Sequence, residues 1–234
     1  MRIGIIGAGA AGLASAYEFV NDGHEVTVYE SAPFVGGQAS TIEVGGGRLE
    51  RGYHHLFTND TAMIELMDEL GIGNSLHWFP SSVGTYAADR VYPFVSATDL
   101  LRFTPLSMRD RLKMGFVTLR LRSQRDWRAL EDTTATEWVR KYGSQGIYET
   151  IWGPLLRGKF GKYHDKVGMA WLWSKFQTRV ASRRGILGRE MLGYPVNSFD
   201  EVFEALITHI EKRGGSVLLK TPVERIVVSG NTAR

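Results

Sequence analysis

Cysteine is absent from this chain, which removes disulfides, thiolate metal sites and cysteine nucleophiles from the candidate chemistries. No window approaches the ~18 uninterrupted apolar residues that a membrane-crossing helix needs. The opening Met1-Arg2-Ile3-Gly4-Ile5-Ile6-Gly7 lacks the basic-then-apolar layout and cleavage site of a secretory signal. Charge of one sign is scarce as well. The 28 Lys plus Arg against 25 Asp plus Glu leave only +3, too small an excess to argue for nucleic acid as a partner. Neither an internal repeat nor a low-complexity stretch is present. What remains is a chain of 234 residues, 43% hydrophobic and 23% charged, which is the balance of a folded protein and not of a disordered one. A cytoplasmic location is the expectation.

Hydrophobic periodicity gives the coarse layout. Ile3, Ile5 and Ile6 form a short buried-strand run that ends at glycine. From Ala10 to about Asn21, Leu13, Ala16, Tyr17 and Val20 recur at helical spacing, with Gly23 placed for a left-handed helix end. Glu25 to Glu30 then alternates like a second strand, predicting a βαβ unit with parallel strands. Residues 31–52 are dense in glycine and read as loops and short strands. A helix opened by Asn59 or Asp60 should carry Met63, Ile64, Leu66, Met67 and Leu70 and end at Gly71. Val83 to Phe94 reads as a hairpin turning at Ala88-Asp89, and residues 99–129 as one or two helices. Thr134-x-x-Glu137 and Ser198-x-x-Glu201 are capping-box patterns, each predicting a helix. Strands are expected at Ser216–Lys220 and Arg225–Ser229, joined through Thr221-Pro222. The fold class implied is α/β, with a discontinuous Rossmann-like domain made of residues 1–80 and 195–234. A mostly helical domain, residues 81–194, is inserted in it.

The chemistry concentrates at Gly7-x-Gly9-x-x-Gly12, which follows a strand and opens a helix. Gly7 permits the tight turn, Gly9 lets a pyrophosphate approach the backbone, and Gly12 allows close helix–strand packing. The N–H groups near Ala10, Ala11 and Gly12 are then free to face an anion at the helix start. Glu30 ends the second strand 18 residues beyond Gly12, near the offset at which an acid reaches the ribose hydroxyls. It would also repel a 2′-phosphate. Ser31 adjoins it. Beyond stands the pair Gly36-Gly37, followed by Gln38, which can bring a second backbone stretch against the pyrophosphate. NAD dehydrogenases ordinarily have no need of such a pair.

With these residues the chain resembles the FAD-dependent amine oxidase superfamily, in particular its protoporphyrinogen oxidase and phytoene desaturase branches. Gly7, Gly9, Gly12, Glu30 and Gly36-Gly37 carry the likeness. Gly52-Tyr53-His54-His55-Leu56-Phe57 is similar to the segment those enzymes place near the flavin, so Gly52 and His54 are implied at the site. The segment Ser198 to Val228 resembles the family's second FAD contact, in which the residue matching Val223 meets the adenine through its backbone. The resemblance implies FAD as cofactor and hydride transfer to it from a C–H or C–N bond of an apolar or cyclic small-molecule substrate. Two departures are visible. Gln38 stands where the family often has arginine, which leaves pyrophosphate binding to the helix and the backbone. The family's Gly-Asp-containing C-terminal part is missing, so a fragment of a longer protein with weakened FAD binding is expected. A redox-neutral flavoenzyme resembling UDP-galactopyranose mutase, or a non-catalytic cofactor-binding fragment, are the alternatives.

Other constellations leave alternatives open. His54-His55 suits flavin-site lining or an ordinary loop, and no nearby cluster completes a metal site, so no metal is expected. Residues 102–128 hold eight arginines and lysines against Asp110 and Asp126, with Met108, Leu112, Phe116 and Leu119 on one helical face. This suits either a solvated cationic face or peripheral contact with an anionic membrane. In Ile151 to Gly161 and the following Trp171, Trp173 and Phe176, aromatics suit a flat apolar cavity or a helical core. Arg157 or Lys159 would meet an anionic group or solvent. The pattern singles out no catalytic acid or base.

Overall fold

A computed structural model describes residues 1–181, 190–230, 232 and 233, and the chain divides into two compact units. One comprises Met1–Leu56, Asp60–Trp78 and Gly193–Arg234; the other comprises Phe57–Asn59 and Phe79–Leu192.

The first unit is built on a parallel sheet. Strand Arg2–Ile6 pairs with Glu25–Tyr29 in register from Arg2 opposite Glu25 to Ile6 opposite Tyr29. The helix Ala10–Asn21 joins them, as the 3.6-residue spacing of its apolar positions requires. Strand Ser216–Leu218 pairs in parallel on the other side of Glu25–Tyr29, with Val217 opposite Val28. Leu13, Ala16, Tyr17 and Val20 share one buried cluster with Val26 and Val28 and with Val202, Phe203, Leu206 and Ile210 of the helix Asp200–Lys212. The glycine-dense stretch holds a short 3₁₀ turn, Gly37–Ala39, and an antiparallel pair, Thr41–Val44 with Gly47–Glu50. A helix over Thr61–Glu69 follows Asp60.

Two local expectations are corrected here. The capping box at Ser198 does not form. Ser198 is buried with a left-handed φ of 68°, and Phe199 takes the N-cap place, donating its N–H to Glu50 Oε1 at 2.9 Å. The Glu201 carboxylate accepts instead from Asn197 Nδ2 at 3.4 Å. A carboxylate delivered by the strand Gly47–Glu50 is a stronger acceptor at a positive helix end than a serine hydroxyl. The late strands are also shorter than the alternation suggests. Ser216–Leu218 stops before Lys220, whose φ is 52°, and Pro222 has no N–H to extend the ladder. Only Val228–Ser229 of the second run is a strand, paired antiparallel with Thr232–Ala233. Asn231 and Arg234 lie outside the described residues.

The second unit is mainly helical. Its hairpin joins Gly84–Ala87 to Arg90–Pro93. Ala88 and Asp89 both have positive φ, 48° and 57°, the conformation of a turn that matches strand twist. The helices are Ala97–Arg102, Met108–Ser123, Ala135–Tyr142, Gly153–Phe160 and Met169–Ala181, with shorter turns between them. The capping box at Thr134 forms in full: Glu137 N donates to Thr134 Oγ1 at 3.2 Å and Thr134 N to Glu137 Oε2 at 3.1 Å. Phe103, Met114, Val117, Leu121, Trp138 and Ile147 lie in its buried core. Among the described residues no helix is long and apolar enough to cross a membrane.

Candidate cofactor site

The glycine-rich turn is set by contacts that exclude side chains. A Cβ added at Gly12 would overlap the carbonyl oxygen of Gly7, so only glycine lets the helix start so close to the strand end. Gly7 N donates to Tyr29 O at 2.7 Å, tying the turn to the second strand. The first bond of the following helix runs from Leu13 N to Gly9 O. The N–H groups of Ala10, Ala11 and Gly12 thus precede the helical ladder and project from its positive end. An anion placed there meets three donors and a favourable dipole.

Glu30 is the junction of the site. Its Oε2 accepts from Ala8 N at 2.8 Å, and its Oε1 from Ala32 N at 2.8 Å and from Ser31 Oγ at 3.2 Å. The Ala32 N–H, followed by that of Ala8, holds the carboxyl below its ordinary range, against a smaller opposing effect of burial. It is therefore an anion at neutral pH. A carboxylate offers about four lone-pair positions, so three donors leave room for another. The backbone of the same residue receives the late segment: Glu30 N donates to Leu218 O at 2.9 Å and Thr221 N to Glu30 O at 2.8 Å. Lys220 N reaches Ala32 O at 3.1 Å. Three stretches far apart in sequence therefore meet at one residue. Val223 stands two positions beyond Thr221, partly exposed, beside an open depression of about 810 Å³ that Pro222, Glu224, Arg225 and Val227 also line.

The second glycine pair is joined to the first turn. Gly36 N donates to Ala8 O at 2.8 Å, and Gly36 forms an isolated parallel bridge with Gly9. At Gly36, φ is 91° and a Cβ would lie 2.7 Å from the Phe203 ring, so the position is closed to any side chain. A Cβ on Gly37 would come within 3.4 Å of the Gly9 Cα. Gln38 is exposed in the 3₁₀ turn. From there Arg51 N donates to Ser40 O at 2.8 Å, which brings Gly52 back toward Gln38: a Cβ on Gly52 would be 3.4 Å from the Gln38 carbonyl oxygen. His54 Nδ1 lies 2.6 Å from Gly52 O, and the His54 ring meets Phe199 edge-on at 6.2 Å. Gly7, Gly9, Gly12, Glu30, Ser31, Gly36 and Gly37 are thus brought together directly, while Gln38, Gly52 and His54 form an adjoining group.

Several residues at this site carry no sequence signal. Ala8 serves both Glu30 and Gly36 through its main chain, and Thr221 serves Glu30 likewise; backbone bonds are blind to side-chain type. Glu50 is buried, accepting from Phe199 N and from the Tyr194 hydroxyl. Burial, then this carboxylate, pushes the Tyr194 hydroxyl far above its ordinary range. A lone glutamate ending an exposed-looking strand gives no hint of this role.

In the second unit, the stretch from Ile151 to Gly161 takes up the core alternative. Leu156 is fully buried, and Trp152, Trp171, Trp173 and Phe176 pack against the same cluster. Trp173 Nε1 donates to Leu121 O at 3.2 Å and Gln124 O at 3.1 Å. The Lys159 ammonium sits 6.0 Å from the Trp171 ring centroid.

A parallel strand–turn–helix–strand unit, with glycines closed to side chains and an ionised acid ending its second strand, defines an α/β protein of the dinucleotide-binding class. Residues 10–234 match the flavin containing amine oxidoreductase family, and the chain belongs to that family. FAD is accordingly the cofactor of this fold. The 15-cis-phytoene desaturase of Synechococcus elongatus is 24% identical over 100% of this chain and 52% of that protein. The zeta-carotene desaturase of a Synechocystis species is 25% identical over 99% of this chain and 52% of that protein. Among solved structures, an oxidoreductase from Methanosarcina mazei matches with a TM-score of 0.70 at 21% identity, covering 100% of this chain and 54% of its own. The chain spans about half the length of the curated relatives it matches.

Proposed function

We propose that this chain supplies the ADP-binding half of an FAD-dependent oxidoreductase that removes hydride from a C–H or C–N bond of an apolar or cyclic substrate. Bound FAD would supply the two-electron acceptor for that hydride, and loss of a proton from the neighbouring atom of the substrate completes the new double bond. Curated relatives that are carotenoid desaturases favour the C–H alternative.

The observation that carries the reading is the Glu30 junction, where the turn, the acid and the late segment meet. In this reading the N–H groups of Ala10, Ala11 and Gly12 bind the pyrophosphate. Glu30 accepts a ribose hydroxyl at its remaining acceptor position, with Ser31 steadying it. Gly36 and Gly37 let their backbone approach the phosphates, Gln38 adds a neutral hydrogen bond, and the Val223 main chain flanks the adenine. Gly52 and His54 border the path toward the flavin ring.

The test is to produce the protein with added FAD, remove free flavin by gel filtration and read the visible flavin absorbance. Anaerobic addition of 15-cis-phytoene should then bleach it. Absence of any bound flavin in the full-length protein would overturn the cofactor assignment, whereas its loss from this chain alone would favour the non-catalytic cofactor-binding fragment. Turnover of a sugar nucleotide only after chemical reduction would replace hydride transfer with the redox-neutral alternative.

A further inference from the structure

The helix Met108–Ser123 has two apolar sides, and only one of them has a partner. Met114, Val117 and Leu121 are buried in the core of the helical unit. Met108, Leu112, Phe116 and Leu119 face away from it and are 55%, 63%, 61% and 65% exposed. At 100° per residue these four fall within an arc of roughly 80°, opposite the buried three. Met108 to Leu119 runs along about 16 Å of the helix axis. Large side chains aligned this way on solvent form a patch, not a scatter of single exposed residues.

Charge frames the stripe on both edges. On the same helical projection Arg109 and Arg120 fall along one border and Arg122 along the other, and all three are exposed. The Arg120 guanidinium lies 4.5 Å from the Tyr142 ring centroid, which holds it at that edge. The single acid of the helix, Asp110, is turned away: it accepts from Ser144 Oγ at 2.7 Å and from Ser107 Oγ at 2.7 Å. A second copy of the chain laid face to face on this stripe would set arginine against arginine. An anionic lipid surface offers the complement to both features, headgroups for the arginines and acyl chains for the stripe.

We propose that the Met108–Ser123 helix lies in the plane of an anionic membrane surface, with Met108, Leu112, Phe116 and Leu119 inserted and Arg109, Arg120 and Arg122 at the headgroups. This docking is independent of what the cofactor site does. Because the residues are exposed, replacing them leaves the core intact and keeps the test clean.

Co-sedimentation with vesicles provides it. The protein should pellet with phosphatidylcholine vesicles containing phosphatidylglycerol, and much less with phosphatidylcholine alone or at high salt. Leu112→Gln with Phe116→Gln should lower the bound-to-free ratio by about tenfold or more. Arg109→Gln and Arg122→Gln should each lower it by about fivefold. Thermal melting should be the same for all variants. Failure to pellet with the anionic vesicles, equal pelleting with both lipid mixtures at every salt concentration, or undiminished binding of the double variant would each overturn the proposal. So would a self-associated species that Phe116→Gln dissociates while vesicles leave the protein unbound.

Discussion

In the helical unit, a helix start and a hairpin are closed between residues a few positions apart; in the sheet unit, the corresponding closures join residues from opposite ends of the chain. Thr134 and Glu137 close the start of one helix within a single turn, and Ala88-Asp89 closes a hairpin on itself. The helix Asp200–Lys212 instead takes its cap from Glu50, 149 residues upstream. The central strand takes a neighbour from residues 216–218. Local closure costs little chain entropy, whereas distant closure must be repaid by contacts made only in the finished fold. The two ends of that scale can be separated by mutation.

The largest effect is expected at Gly12, where the turn tolerates no Cβ. Gly12→Val should lower stability by about 3 kcal/mol and abolish bound-flavin absorbance, as read by denaturant melts and gel filtration. Glu50→Ala should follow at about 2 kcal/mol, because it strands the Phe199 N–H and the Tyr194 hydroxyl in a buried place. A loss under 0.5 kcal/mol would mean that the distant cap is dispensable and the contrast between the units is wrong. Glu30→Gln should cost about 1.5 kcal/mol and change the pH profile. The Glu30 carboxyl is held below its ordinary range in the fold. Its contribution is therefore complete above the ordinary carboxyl range and fades as pH falls through the lowered one. Acid melts of the variant should lack that part of the decline. Thr134→Ala should cost least, about 1 kcal/mol, and the loss should stay within the helical unit when followed by hydrogen exchange.

The same contrast explains what could be read in advance. The first strand, its glycine turn, the following helix and Glu30 were legible because each is specified within some 30 residues, by period and by glycine spacing. The Thr134 cap and the Ala88-Asp89 turn were legible for the same reason. The Ser198 pattern has the letters of a capping box, but a carboxylate from another strand claims the N-terminus. No local reading contains that competitor. The short ending of the late strands likewise depends on Lys220 taking a positive φ while its N–H reaches Ala32. At the candidate site, the glycines and Glu30 were visible as residues. Their assembly through Ala8 and Thr221 was not, since any amino acid except proline can lend an N–H.

One consequence concerns the order in which a ribosome releases the chain. Ser216 Oγ and Thr27 Oγ1 stand 3.4 Å apart across a gap of 189 positions. The entire helical stretch emerges before the third strand does, and until then Glu25–Tyr29 carries one bare edge, able to pair with whatever strand it meets first. Pausing translation ahead of residue 216 should therefore leave nascent chains that aggregate, while chains released with residues 216–218 in place should not.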